Sequence, residues 1–127
     1  MTVYASLESD SPGHTPVFAF ESREAAARAR NLVLAGAPPA EAAGAVGGAE
    51  LDPRTDLANH SPSGLSWGYR GSGAAQTALA ILAHETDPGQ AVRCYQELKD
   101  RVVARAPQDE RLVVVSGDID EVLGAEP

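Results

Sequence analysis

A chain of 127 residues is long enough for one domain with a modest core, without metal or disulfide staples. With one Trp, three Tyr and two Phe, that core must come mainly from Leu, Val, Ile and Ala. The formal charge of −8 argues against direct binding to nucleic acid or anionic membrane, and a single cysteine, Cys94, excludes an intramolecular disulfide.

The opening "MTVYASLESD" has neither a basic start nor an apolar run, so no signal peptide is expected. Residues 2–8 and 15–21, "TVYASLE" and "TPVFAFE", are rich in aromatic and β-branched side chains. With "SDSPGH" between them they predict a hairpin, Pro16 lying at a strand start or an edge. A helix follows from Ser22 as N-cap, with Glu24 placed to meet Arg28, an apolar stripe of Ala25, Ala29, Leu32 and Val33, and Gly36 as its stop. Residues 36–58 are low in complexity and rich in Pro, Gly and Ala. They are expected to form a flexible or inserted loop with at most one helical turn over 39–45.

"GSGAAQTALAILAHE" is apolar through its middle and predicts a central buried helix. Asp87, Pro88 and Gln90 then open a second helix on which Ala91, Cys94, Tyr95, Leu98 and Val102 share one arc, with Lys99 at its edge. The short connection predicts an antiparallel helical hairpin. "RLVVVSGD" is a strand signal. "DIDEVLG" predicts a last short helix with Asp118 as N-cap, Glu121 at the capping-box position and Gly124 as stop. The expected fold is a single α+β domain: a small antiparallel sheet of two or three strands, covered on one side by helices that include the hairpin. No stretch has the roughly 20 apolar residues of a membrane span, and the expected setting is cytoplasmic.

The unusual stretch is residues 59–73, "NHSPSGLSWGYRGSG", which gathers four glycines and the only tryptophan at the mouth of the apolar helix. Read with that helix, "NHSPSGLSWGYRGSGAAQTALAIL" resembles a family of small proteins carrying a domain of unknown function, common in phage, plasmid and other mobile-element genomes. The family pattern is roughly N-H-S-P-x-G-x-x-W-G-Y-x-G-S-G-x-A-Q, preceded by "LDPR" (51–54 here) and followed by a run like "CYQELKDRVVARAP" (94–107 here). The likeness spans about residues 50–115. Leu65 departs from a Phe, Ala74 from a Pro and Asp100 from a Trp; the first two are packing adjustments, and the third removes an aromatic from any partner surface. The resemblance implies a mobile-element setting and no catalytic role.

The candidate binding residues are Asn59, His60, Ser61, Trp67, Tyr69, Arg70, Gly71, Ser72, Gly73 and Gln76. Gly71, Ser72 and Gly73 could leave helix N–H groups open to an anion beside Arg70, but the plainer reading is Ser72 as N-cap in a tight turn. Gly73, Gln76, Thr77, Ala80 and His84 lie within about 100° of helix arc, a polar seam read as a solvent face. Asn59 and Ser61 suit turn hydrogen bonds. Trp67 and Tyr69 alternate, so they share a side if the loop is extended. Ser61 beside His60 makes no triad, His14, His60 and His84 lack ligand spacing, and Cys94 suits the core, so no catalytic residue, metal or cofactor is assigned.

These residues favour a non-enzymatic binding module that takes a protein partner from host or phage, with an acidic inhibitor and a homodimer as variants. The alternative is a small ligand-binding protein or enzyme with an anion-accepting pocket at 59–76.

Overall fold

VYAS and VFAF are apolar at nearly every position rather than at every second one, which suits a sheet buried on both faces. The computed structural model, which describes residues 2–9, 15–60, 64–69, 71–107 and 109–124, has that arrangement. Strands β1 (Val3–Ser6) and β2 (Val17–Phe20) pair antiparallel, with Val3 opposite Phe20. Strand β4 (Val113–Val115) adds antiparallel to β1, and the two-residue β3 (Ala49–Glu50) adds to β2, giving the order β3-β2-β1-β4. The expected α+β class and antiparallel sheet hold. Among the described residues the sheet has four strands rather than two or three, because β3 is too short and too exposed to leave an apolar pattern.

Helices cover both sides of the sheet, not one. Val3, Ala5, Phe18 and Phe20 face a core shared with α1 (Arg23–Leu34) and α2 (Pro39–Ala45). Tyr4, Val17, Ala19 and Val114 face the larger core built by α3 (Ser72–Glu85), α4 (Pro88–Arg101) and α5 (Ser116–Gly124). The alternation of side chains along each strand produces this division, both sets being apolar.

Local signals set most helix ends. Ser22 Oγ accepts the Ala25 amide at 3.1 Å, and Asp87 Oδ1 accepts the Gln90 amide at 2.9 Å. Gly36, at φ +106°, closes α1 in a Schellman arrangement: its amide donates to Val33 and the Ala37 amide to Leu32. Leu32 departs from its expected stripe and is exposed, because Ala25, Ala26 and Ala29 form the buried edge of α1. α5 also starts earlier than expected. Asp118 is not its N-cap; it sits in the first turn and reaches back to accept the Val115 amide at 3.1 Å, the returning half of a capping box.

α3 is buried without interruption from Gly73 to Ala83, and α4 returns over it after Thr86 and Asp87 as the expected hairpin. Ala91, Cys94 and Leu98 face it, with Tyr95 and Val102 at the margin. Among the described residues no helix is long and apolar enough to cross a membrane. Those in 36–58 include α2, β3 and Leu51, which joins the larger core. The hairpin turn expected at 9–14 lies almost wholly outside the described residues.

Candidate functional site

The chain enters the candidate site through "DPRTD". Asp52 Oδ1 accepts the Arg54 amide at 2.8 Å, an Asx-turn that supports Arg54 in the left-handed region at φ +57°. The Arg54 guanidinium then forks onto Asp56 at 3.0 and 3.1 Å. That hydrogen bond holds the Asp56 carboxyl below the usual carboxylate range and raises Arg54 above its own. The pair is exposed, so its role is to shape the turn rather than to add much stability.

From here the loop is tied to α3 by two side chains. Gln76, fully buried, donates from Nε2 to the carbonyls of Pro53 (2.5 Å) and Ala58 (3.1 Å), and its Oε1 accepts the His60 amide at 2.8 Å. One turn face further, Thr77 Oγ1 accepts the Ser66 amide at 2.9 Å and donates to the Ser66 carbonyl at 2.7 Å, with the Gly73 carbonyl at 2.9 Å. An amide side chain with two donors and an acceptor, next to a hydroxyl, satisfies loop backbone groups that burial would otherwise strand. The polar seam of α3 is therefore not its solvent face. Gly73, Gln76, Thr77 and Ala80 are covered by the loop, and only His84 reaches solvent.

Trp67 is completely buried, and its indole N–H lies between the carbonyls of Pro107 (3.2 Å) and Glu110 (3.1 Å). Gly68, at φ +85°, donates its amide to Val103 in the short 3-10 turn after α4. That left-handed step breaks the extended alternation, so Trp67 and Tyr69 do not share a side as expected. Trp67 enters the core, while Tyr69 is 40% exposed. Tyr69 lies across the start of α3: a Cβ on Gly71 would come within 2.1 Å of its ring, and one on Gly73 within 2.9 Å of its hydroxyl and 2.6 Å of Ser66 Cβ. These two glycines make room for the aromatic ring. The N-cap is Gly71, with no side-chain cap, rather than Ser72, which is exposed in the first turn.

Asn59 is exposed, and His60 stands half-buried with Nε2 2.7 Å from the Tyr95 hydroxyl of α4. Ser61 and Arg70 lie outside the described residues. Thus Trp67, Gly73 and Gln76 are brought together inside the frame, and Asn59, Tyr69 and Ser72 remain outside it.

Sequence reasoning passed over a second polar cluster at the other end of α3. The Tyr4 hydroxyl donates to Glu85 Oε2 at 2.6 Å and lies 2.9 Å from His84 Nδ1. A phenol has one proton, so with Glu85 as a carboxylate the His84 Nδ1–H donates to Tyr4. Burial first, then the Glu85 hydrogen bond and charge, hold the Tyr4 phenol well above the usual tyrosine range. A cavity of about 300 Å3 adjoins this end, lined by Leu51, Asp52, Arg54, Ala80, Ala83 and His84. His84 stood on the polar seam, but nothing local marks Tyr4 as its partner 80 residues away. Among the described residues no group of three or more His, Cys, Asp or Glu side chains could hold a metal ion.

Residues 36–125 match the model of a family of unknown function (DUF6166), and the chain belongs to that family. The match takes in the whole loop, α3, α4, β4 and α5, and leaves β1, β2 and α1 outside. No curated protein and no solved structure matches the chain.

Proposed function

We propose that this member of the family of unknown function is a non-enzymatic binding module, and that the loop of residues 59–73 presents its contact surface to a protein partner. The observation that carries this reading is a division of labour within the loop. Trp67, Gln76 and Thr77 are used up in fixing its backbone, while Tyr69 stays 40% exposed on the fixed frame. An exposed aromatic held in place beforehand loses little freedom on binding, which is what makes tyrosine an efficient contact residue. Asn59 and Ser72 supply polar groups on the same segment.

The anion-accepting alternative at 59–76 requires Tyr69 to leave the space over Gly71 and Gly73, which its ring occupies. The resemblance of the 59–82 motif to phage and plasmid proteins supports a mobile-element setting, with a cytoplasmic host or phage protein as the target. The acidic net charge suits an inhibitor that meets a basic surface. A homodimer through the same loop is the nearest variant.

The test is cross-linked partner recovery with wild type, Tyr69→Ala and Trp67→Ala, beside the native mass of each. Tyr69→Ala should lose the partner while its melting temperature stays within a few degrees of wild type, about the effect of an exposed substitution. Trp67→Ala should instead lose about 3–5 kcal/mol of stability, as a buried aromatic truncation does. The reading fails if Tyr69→Ala recovers the same proteins in the same amounts.

A further inference from the structure

The chain carries eighteen acidic residues against ten basic ones, yet not every arginine is paired with a carboxylate. On the α1 side of the sheet three do not use one. Arg23 and Arg30 stand seven residues apart on α1, about 10.5 Å along its axis, and Arg111 approaches from the start of β4. Among the described residues none of the three forms an ion pair; the Arg30 side chain donates to the Leu7 carbonyl, and the side chains of Arg23 and Arg111 make no hydrogen bond.

The three arginines line a groove. α1 packs over β1 and β2 and stops short of β4, so Val113 on the edge strand is left 43% exposed. Two cavities that share Arg111 and Val113 fill the gap. The larger, about 670 Å3, is also lined by Arg30 and Val33 and by three carboxylates, Glu8, Asp109 and Glu110, none of which forms an ion pair with the arginines. The smaller, about 150 Å3, adds Arg23, Ala26 and Ala27. Partial burial, then the charge of Arg30, push the Arg111 guanidinium below its usual range, so Arg30 acts on it as a repulsive neighbour. Holding two like charges together at a half-buried site costs free energy that an anion between them would offset.

We infer that the groove between α1 and β4 binds an extended acidic peptide segment of a partner protein, its carboxylates on Arg23, Arg111 and Arg30 and its apolar side chains on Val113 and Val33. Guanidinium forks match carboxylates in paired hydrogen bonds. In an extended peptide, side chains on one face recur about every 6.7 Å, so acidic residues two apart fit within the arginine row, and the intervening residues turn away. Glu8, Asp109 and Glu110 in the same lining, and the net charge of −8, oppose an uninterrupted run of negative charge such as a phosphate backbone. A short segment whose acidic residues alternate with apolar ones can instead keep its carboxylates to the arginines. Main-chain pairing contributes less, because Asp118 already takes the Val115 amide on the β4 edge. This inference rests on reading the chain as a protein-binding module but not on Tyr69, which belongs to the opposite side of the sheet.

A fluorescein-labelled peptide alternating Glu and Val is the probe, read by fluorescence anisotropy at low and physiological salt. Wild type should bind it saturably, more weakly as salt rises, and a Lys-Val counterpart should not bind. Arg111→Gln should weaken binding by about tenfold or more, Arg111→Lys should restore part of it, and Arg28→Gln, on the exposed side of α1, should leave it unchanged. Should Arg111→Gln fold poorly, the double variant Arg23→Gln/Arg30→Gln carries the same expectation from the solvent side. Absence of saturable binding by wild type, equal binding by wild type and the folded groove variants, or tighter binding of a single-stranded RNA would each overturn the inference. Tyr69→Ala keeps peptide binding if the groove is the site. Loss there would place the peptide at the loop and refute the groove, while Tyr69-dependent recovery without peptide binding would sink the groove alone.

Discussion

Gln76 shows how one residue can look functional and be architectural. A polar side chain at the start of a nearly all-apolar helix suggests a ligand, yet three of its polar contacts go to the backbone of residues 53, 58 and 60. Those groups are partly covered by the same loop they belong to, so water replaces the amide only in part once it is removed. Gln76→Leu keeps the volume and strands one amide and two carbonyls. Each lost partner costs on the order of 1 kcal/mol or more, so the variant should lose about 3 kcal/mol. Urea unfolding should show a lower midpoint at an unchanged slope, and the His60 amide should exchange faster with solvent. If the midpoint held, the loop would owe its position to Trp67 and Thr77 instead. Trp67 and Tyr69 carry the complementary lesson, since two aromatics two residues apart in sequence have opposite surroundings because Gly68 turns left-handed between them.

Elements differ in how far their rules are local. Gly44 in α2 and Gly73 in α3 are both helical glycines with opposite expectations. A Cβ on Gly44 meets nothing within 4 Å, so Gly44→Ala should stabilise by roughly 0.5–1 kcal/mol through lower chain entropy and better helix propensity. On Gly73 it meets Ser66 Cβ at 2.6 Å, in a segment held by Thr77, so Gly73→Ala should destabilise by about 1–3 kcal/mol despite the same propensity gain. Thermal melts of the two variants check the contrast, and a shift of the same sign in both would refute it. What was legible in the sequence follows this division. The caps at Ser22 and Asp87, the stop at Gly36 and the α3–α4 hairpin depend on neighbours within a few residues, and all were readable. The start of α5 was misplaced because Asp118 caps backwards rather than forwards. The second helical layer went unseen although continuous apolar strands imply it. The covering of the α3 seam by the loop, like the three-arginine groove, depends on segments remote in sequence, and no periodicity encodes them.

At the scale of the molecule, the tie between the first strand and the end of the central helix gives the fold a dependence on alkaline pH. Tyr4 carries β1 into the larger core, and its hydroxyl meets His84 and Glu85 across 80 and 81 residues of chain. In the unfolded chain its phenol ionises near the ordinary tyrosine value of about 10. In the folded chain burial, the Glu85 hydrogen bond and the Glu85 charge all oppose the phenolate, so the folded value lies higher. A raised folded pKa means the native state holds its proton where the unfolded state has released it. The contribution of Tyr4 is therefore fully present below about pH 10 and declines as pH rises through the window above it, by at most about 1.4 kcal/mol per pH unit for one proton. Wild-type stability measured in urea from pH 8 to pH 11.5 should fall more steeply than that of Tyr4→Phe, whose ring fills the same core without an ionisable group. Tyr4→Phe should also be less stable than wild type at pH 8, because Glu85 and His84 lose their shared partner, so the two curves should converge as pH rises. Parallel curves would mean that Tyr4 titrates alike in both states and that the bond to Glu85 does not tie β1 to α3.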